Sequence, residues 1–141
     1  MSWSKQRRKP TSSEQGFKHG YRSGLEDTLS QQIADAGHKV EYETDKILYL
    51  VPSSNHKYTP DFKLPKTGGF FYIESKGRFE LTDRKKHEYI REQHPDIDLR
   101  FVFSNARSKL YKGSKTTYAD WCDKHGFVWA HKTIPKEWLS E

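Results

Sequence analysis

The chain predicts a single α/β domain in which a mixed central sheet is flanked by helices. Three observations predict it. Short runs rich in aromatic and β-branched residues recur along the 141 residues, bounded by Gly, Pro, Asn or Ser, which is how strands read. Segments with a helical period and capping signals alternate with those runs. Two of the runs, Tyr58-Thr59-Pro60-Asp61-Phe62 and Phe70-Phe71-Tyr72-Ile73-Glu74-Ser75-Lys76-Gly77, flank Lys66-Thr67-Gly68-Gly69, which reads as a hairpin turn.

Residues 1–19 are polar and basic, with Lys5, Arg7, Arg8, Lys9 and Lys18 against Glu14 alone. They predict a flexible arm, either a solubilising tail or a phosphate binder without sequence preference. The domain proper spans 20–141. A helix opens near Ser23, with Leu25, Leu29 and Ile33 in period and Gly37 at its C-terminal cap. Ser23 and Glu26 form a capping-box pattern, which makes Glu26 structural; a functional carboxylate is the alternative. Strand-like runs follow at 39–43 and 46–51. The second is almost continuously apolar and needs cover on both faces, for which another subunit is one source. Pro52 breaks it.

Thr82 reads as the N-cap of the next helix, with Asp83 in its first turn and Pro95 beyond its end. Tyr89, Ile90 and Leu81 are its apolar members, and Arg84, Lys85, Lys86 and Arg91 make its surface basic. His87 and His94 lie two turns apart on one face. No cysteine or third histidine at ligand spacing joins them, so they read as surface or phosphate-facing residues and not as a zinc site. Leu99-Arg100-Phe101-Val102-Phe103 is the central strand. From Arg100 to Tyr118 there is no acid in a chain holding 19, while Arg107, Lys109, Lys112 and Lys115 accumulate around Tyr111 and Gly113. That run predicts a loop gripping a phosphate backbone. Thr117 and Asp120 repeat the capping pattern and open a helix that stops at Gly126. Within it Cys122 and His125 make half a zinc site without the other half, so Cys122 reads as a small core residue. A short strand at Phe127-Val128-Trp129 and a helical turn from Ile134 to Leu139 close the chain; Trp121, Trp129 and Trp138 read as core.

Hydrophobic residues make up only 33% of the chain, and the mean hydropathy is −1.03, so the core is thin; 14% aromatic residues compensate. A net charge of +6 and a pI near 9.3 point to a polyanionic partner, nucleic acid before anionic membrane. Neither a membrane span nor a secretion signal is visible. One cysteine excludes an intrachain disulfide framework and fits a reducing cytoplasm.

The chemistry concentrates in the hairpin. In an extended chain Glu74 and Lys76 share a face and Ser75 points opposite. If the hairpin sets Asp61 beside Glu74, two carboxylates and an ammonium converge. Carboxylates so close repel, and a divalent cation relieves them; hard oxygen donors suit Mg²⁺. A lysine there can orient or help deprotonate an attacking water, or offset charge growing on phosphorus. The bland reading is a solvated edge strand with an acid–lysine pair. Against it, Phe62, Phe71 and Ile73 demand burial and fix the polar set on a packed sheet.

The string Pro60-Asp61…Glu74-Ser75-Lys76 resembles the PD-(D/E)xK nuclease signature. Ordered blocks across 20–139 extend the likeness: Arg22-Ser23-Gly24-Leu25-Glu26-Asp27, the segment from Ser53 to Phe62, Ile73 to Gly77, Asp83-Arg84-Lys85-Lys86-His87, Ile90 to Pro95 and Lys109 to Ser114. Together they resemble the endonuclease I family of T-odd bacteriophages, which are Holliday-junction resolvases. The resemblance implies a structure-selective endonuclease that resolves four-way junctions and other branched DNA in the host cytoplasm. It implies catalytic Glu26, Asp61, Glu74 and Lys76. Two ions per site, Mg²⁺ or Mn²⁺, would be held by Asp61, Glu74, the Ser75 carbonyl and Glu26, which reverses the structural reading of Glu26. It further implies a domain-swapped homodimer, for which 46–51 suits a bridging strand. Arg84, Lys85, Lys86, Arg107, Lys109 and Lys112 are the candidate DNA contacts. The hairpin is longer than the family pattern, and serine replaces the familiar threonine at 75. Two rivals stay open: a restriction-type or repair nicking nuclease of the same fold, and a non-catalytic binder of branched DNA.

Overall fold

The computed structural model describes residues 23–51 and 54–141, so the arm expected over 1–19 and the break at Pro52 lie outside the described residues. In chain order the elements are helix α1 (Gly24–Asp35), strands β1 (Glu41–Tyr42), β2 (Ile47–Val51), β3 (Ser54–Tyr58), β4 (Phe62–Lys66) and β5 (Gly69–Lys76), helix α2 (Leu81–Gln93), strand β6 (Leu99–Phe103), helix α3 (Tyr118–His125), strand β7 (Val128–His131) and helix α4 (Lys136–Leu139). Five strands form a mixed sheet in the order β1-β4-β5-β6-β7. The β1–β4 and β4–β5 pairs are antiparallel, and β6 runs parallel to both β5 and β7.

Strand alternation sorts the core into two layers. Phe71 and Ile73 of β5 join Phe62, Leu64, Val102 and Ala130 against Leu29 and Ile33 of α1. Tyr72 faces the other way, with Leu99, Phe101 and Phe103, toward Ile90 of α2 and Trp121 and Cys122 of α3. Helix caps follow their sequence signals. Thr117 and Asp120 exchange backbone-to-side-chain bonds at 3.0 Å, and Gly126 ends α3 in the left-handed region at φ +75°. Burial pushes the Cys122 thiol pKa up, as for an inert core residue. Trp121 is buried, whereas Trp129 and Trp138 are half-buried.

Three expectations change. The run from Tyr58 to Phe62 is not one strand: Tyr58 ends β3, and Phe62 opens β4 in the other sheet. Pro60 between them has no N–H to offer a ladder. β3 pairs with β2 as a separate antiparallel hairpin, Ile47 opposite Tyr58. Within the chain β2 is covered on one face only, since Ile47 and Tyr49 are buried while Leu48 and Leu50 are 63% and 59% exposed. α2 starts before Thr82, with Glu80 at its N-cap and the Glu80 amide donating to Asp83 Oδ2 at 3.2 Å. Lastly, α2 turns Arg84, His87 and Ile90 inward together, because residues three apart share a helix face. Arg84 is therefore a buried residue donating to the Phe79 carbonyl at 2.6 Å, not a surface cation, and His87 is fully buried, not surface or phosphate-facing.

Phe79 sits in the centre of this layer with no exposure, packed against His87, Phe101, Phe103, Tyr118 and Trp121. Phe79→Ala is expected to lower the stability measured by urea unfolding by about 3–5 kcal/mol. The exposed Leu81→Ala, two residues away, is expected to change it by less than about 0.5 kcal/mol; equal effects would contradict the packing.

Candidate active site

The β4–β5 register, with Phe62 opposite Ile73, carries Asp61 to the far end of β5. There Asp61 Oδ2 accepts from both the Ser75 amide and the Ser75 hydroxyl at 2.9 Å. Glu74 points to the α2 face and is buried, its Oε1 accepting from the Tyr58 hydroxyl at 2.8 Å. Lys76 lies on the same face, its Nζ 3.4 Å from Glu74 Oε2 and 3.3 Å from Asp83 Oδ1. Asp61, Glu74 and Lys76 thus line one cleft of about 570 Å³, as the hairpin reading expected.

Glu26 joins them from α1. Ser23 caps the helix by accepting the Glu26 amide at 3.1 Å. The Glu26 carboxylate, rather than completing a capping box, accepts from the Ser23 and Tyr42 hydroxyls and lines the same cleft. Capping and site membership therefore use different atoms of one residue. Among the described residues, one set of three acids brings an oxygen from each to within 4.8 Å of the others: Glu26, Asp61 and Glu43. Glu74 is outside that set, and Glu43 was not singled out from sequence. Its backbone signal is structural: a non-glycine φ of +51°, with the Glu43 amide donating to the Asp61 carbonyl at 2.8 Å. By sequence Asp83 is a helix-start residue; in the fold it also holds Lys76.

Electrostatics follow from this crowding. Burial first, and the Glu74 charge second, push the Asp61 pKa up to about 8 against the pull of the Ser75 donors. Burial also raises Glu74, outweighing Lys76 and Lys86, and raises Glu26 despite the Tyr42 hydroxyl. Burial opposes charge on Lys76, but Glu74 and Asp83 outweigh it and raise its pKa, so the side chain stays an ammonium. Lys46 and Lys57 line the cleft from exposed positions, and Lys86 lines it while lying over the Tyr58 ring. A cluster of carboxyl groups that burial makes reluctant to ionise, with cations around it, can exchange its protons for a divalent cation and take up a phosphate. The other candidate DNA contacts do not enter the cleft: Lys85, Arg107, Lys109 and Lys112 are exposed on α2 and the 104–117 loop.

These shifts predict how stability depends on pH without divalent cations. A carboxyl whose pKa rises on folding binds a proton more tightly in the native state, so stability falls as pH climbs toward the folded pKa. His87, held well below its ordinary 6.5 by burial and by Lys86 and Lys76, acts with the opposite sign below about that value. The Asp61 effect is therefore cleanest between about pH 7 and 8. In a chelating buffer the unfolding free energy, measured by urea titration, should fall across that window, with a limiting slope of about 1.4 kcal/mol per pH unit for each responding group. Asp61→Asn should flatten it; an unchanged slope in that variant would assign the decline elsewhere.

A sequence model of the family described as phage endonuclease I matches residues 8–141, reaching into the arm that the motif blocks left uncovered. Endonuclease I of Escherichia phage T7 is 56% identical over 121 residues, covering 86% of this chain and 79% of that protein. Endodeoxyribonuclease 1 of Enterobacteria phage T3 is 54% identical over the same length, covering 86% and 78%. With a match over nearly its whole length and relatives this similar, the chain belongs to the phage endonuclease I family.

Proposed function

We propose that this protein is a divalent-cation-dependent endonuclease that resolves four-way junctions and other branched DNA, with a PD-(D/E)xK centre in a domain-swapped homodimer. The observation that carries the reading is the meeting of Asp61, Glu74 and Lys76 in one cleft with the Glu26–Glu43–Asp61 oxygen cluster. One phage relative is named an endonuclease and the other an endodeoxyribonuclease, which supports the same chemistry here. The donors are all oxygen, and the burial that raises three carboxyl pKa values is what a bound cation would offset, so the residues fit Mg²⁺ or Mn²⁺. Asp61, Glu74 and the Ser75 carbonyl would hold one ion; Glu26, Asp61 and Glu43 would hold a second. Such ions supply Lewis-acid stabilisation of the attacking and leaving oxygens.

The chain's own groups do the rest. Lys76 is held between Glu74 and Asp83 as an ammonium, so it orients water and offsets charge on the phosphorane-like transition state instead of serving as the base. Water adds to phosphorus and the P–O3′ bond breaks, leaving a 5′-phosphate and a 3′-hydroxyl. Tyr58 and Ser75 fix the carboxylates to which they donate, which limits the reorganisation needed during reaction. Two chains supply two centres for the two cuts that resolution of a junction needs. The exposed Leu48 and Leu50 face of β2 suits burial by the second subunit. Lys86 at the cleft and Lys85, Arg107, Lys109 and Lys112 on the surface grip phosphates, while Arg84 leaves that set because it is buried.

With Mg²⁺ present, a four-way junction should receive paired nicks while linear duplexes of the same arm sequences stay intact. Glu74→Ala should abolish cutting and retain binding, and Lys76→Met should lower kcat on the order of 10²–10³-fold. Equal cutting of the duplexes would favour a restriction or repair type of nuclease. Tight binding with no cutting at all would favour a non-catalytic binder. In junction-binding titrations, replacing Lys109 and Lys112 together with Ala should weaken affinity and make the salt slope shallower by about 1.8, or roughly 0.9 per lost phosphate contact. An unchanged slope would remove the 104–117 loop from the interface.

A further inference from the structure

We infer that His87 is a positioning residue of this centre: its Nε2–H donates to Glu74 Oε2 and sets the direction in which that carboxylate faces a divalent cation. The inference rests on the reading of Glu74 as a cation ligand.

Several observations converge on it. His87 has no exposure, and neither ring nitrogen has a hydrogen-bond partner among the described residues. Its surroundings offer few alternatives, because Tyr58, Phe101, Phe79 and Phe127 pack around the ring. The polar atom it does approach is Glu74 Oε2, 3.9 Å from Nε2. Closing that gap to a hydrogen bond takes a shift of about 1 Å, within reach of a side-chain torsion. Tyr58 already donates to the other oxygen, Oε1, at 2.8 Å, and its ring meets the imidazole edge-on at 5.0 Å. His87 and Tyr58 therefore present one donor to each oxygen of Glu74. A purely packing side chain here would be aromatic and apolar, because burying a ring nitrogen without a partner forfeits its hydrogen bonds to water with no compensation. The polar ring has a physical reason only if its proton finds an acceptor.

In this arrangement Nε2 carries the proton and Nδ1 the lone pair. Donation to Oε2 favours ionised Glu74 and restrains its rotation, the task outer hydrogen bonds perform for ligating groups. Lys76 Nζ, 3.4 Å from the same oxygen, is free to move toward a substrate phosphate without releasing Glu74.

The test combines variants with a direct reading of the tautomer. His87→Phe keeps the ring volume and removes the donor; His87→Gln keeps a donor near the Nε2 position. The Phe variant should fold cooperatively and bind a four-way junction without metal as the wild type does. Its half-maximal Mg²⁺ concentration for cleavage should rise about 10- to 100-fold, with most of the loss recovered in the Gln variant. In the wild type, ¹⁵N-correlated NMR of the His87 ring should report the Nε2–H tautomer, with a resonance that moves as Mg²⁺ is added. Wild-type Mg²⁺ dependence in a folded Phe variant would overturn the inference. So would an Nδ1–H tautomer in the wild type, a measurement that decides the matter even if the Phe variant fails to fold. A wild type that does not cut would instead refute the nuclease reading, and one that cuts without a cation would refute the reading of Glu74 as a cation ligand; in either case the tautomer would still report on the His87–Glu74 bond.

Discussion

The arrangement depends on keeping carboxylates out of water at the end of a sheet. Asp61, Glu74 and Glu26 each gain less from their hydrogen bonds than burial takes away, so each has a raised pKa. A protein without a cation to bind would gain stability by replacing such groups with apolar ones. Here the surrounding structure is built to hold them. The β4–β5 register brings Asp61 to the amide and hydroxyl of Ser75, and a parallel neighbour, β6, backs the strand with Phe101 opposite Glu74 and Val102 opposite Ser75. The rigidity of the sheet turns mutual repulsion into a standing demand for positive charge.

β5 distributes that demand to both sides of the sheet. Tyr72, Glu74 and Lys76 face α2, while Phe71, Ile73 and the Ser75–Asp61 contact face α1, where Glu26 and Glu43 complete the oxygen cluster. The centre therefore lies across the end of a strand and draws on elements from both layers. α2 contributes twice at its own N-terminal half. Asp83 joins the Glu80 amide to the Lys76 ammonium, and His87 sits one turn further along beneath Glu74. A change in the seating of α2 would thus reach Lys76 and Glu74 together.

Much of this was legible in the residues. Alternation along 70–77 separates Glu74 and Lys76 from Ser75, the turn expected over Lys66-Thr67-Gly68-Gly69 closes a hairpin, and Thr117, Asp120 and Gly126 bound α3 as their chemistry requires. Glu26 was ambiguous because one side chain and its own amide enter two different interactions, and only tertiary contact with Tyr42 separates them. Glu43 was not legible. It precedes no motif, and its place in the cluster comes from a left-handed backbone turn that β1 and Asp61 impose on a residue without special propensity for it. In α2 two signals conflict. The polar types of Arg84 and His87 point to solvent, but their three-residue spacing with Ile90 places them on the inner face. Spacing carried the correct information, and residue type obscured it.

The chemistry available to Lys76 follows from its neighbours. A lysine acting as a base needs a lowered pKa, which burial beside other cations or in an apolar pocket produces. Lys76 is buried enough for that effect, yet Glu74 and Asp83 lie within 3.4 Å and reverse its sign. Cation binding at Glu74 would weaken one of these two attractions and leave Asp83 as the anchor. The ammonium would then be drawn less to the floor of the cleft and more to an entering phosphate, without losing its proton. Charge would be redistributed among groups already in place, and little reorganisation would remain for the reacting phosphorus to induce.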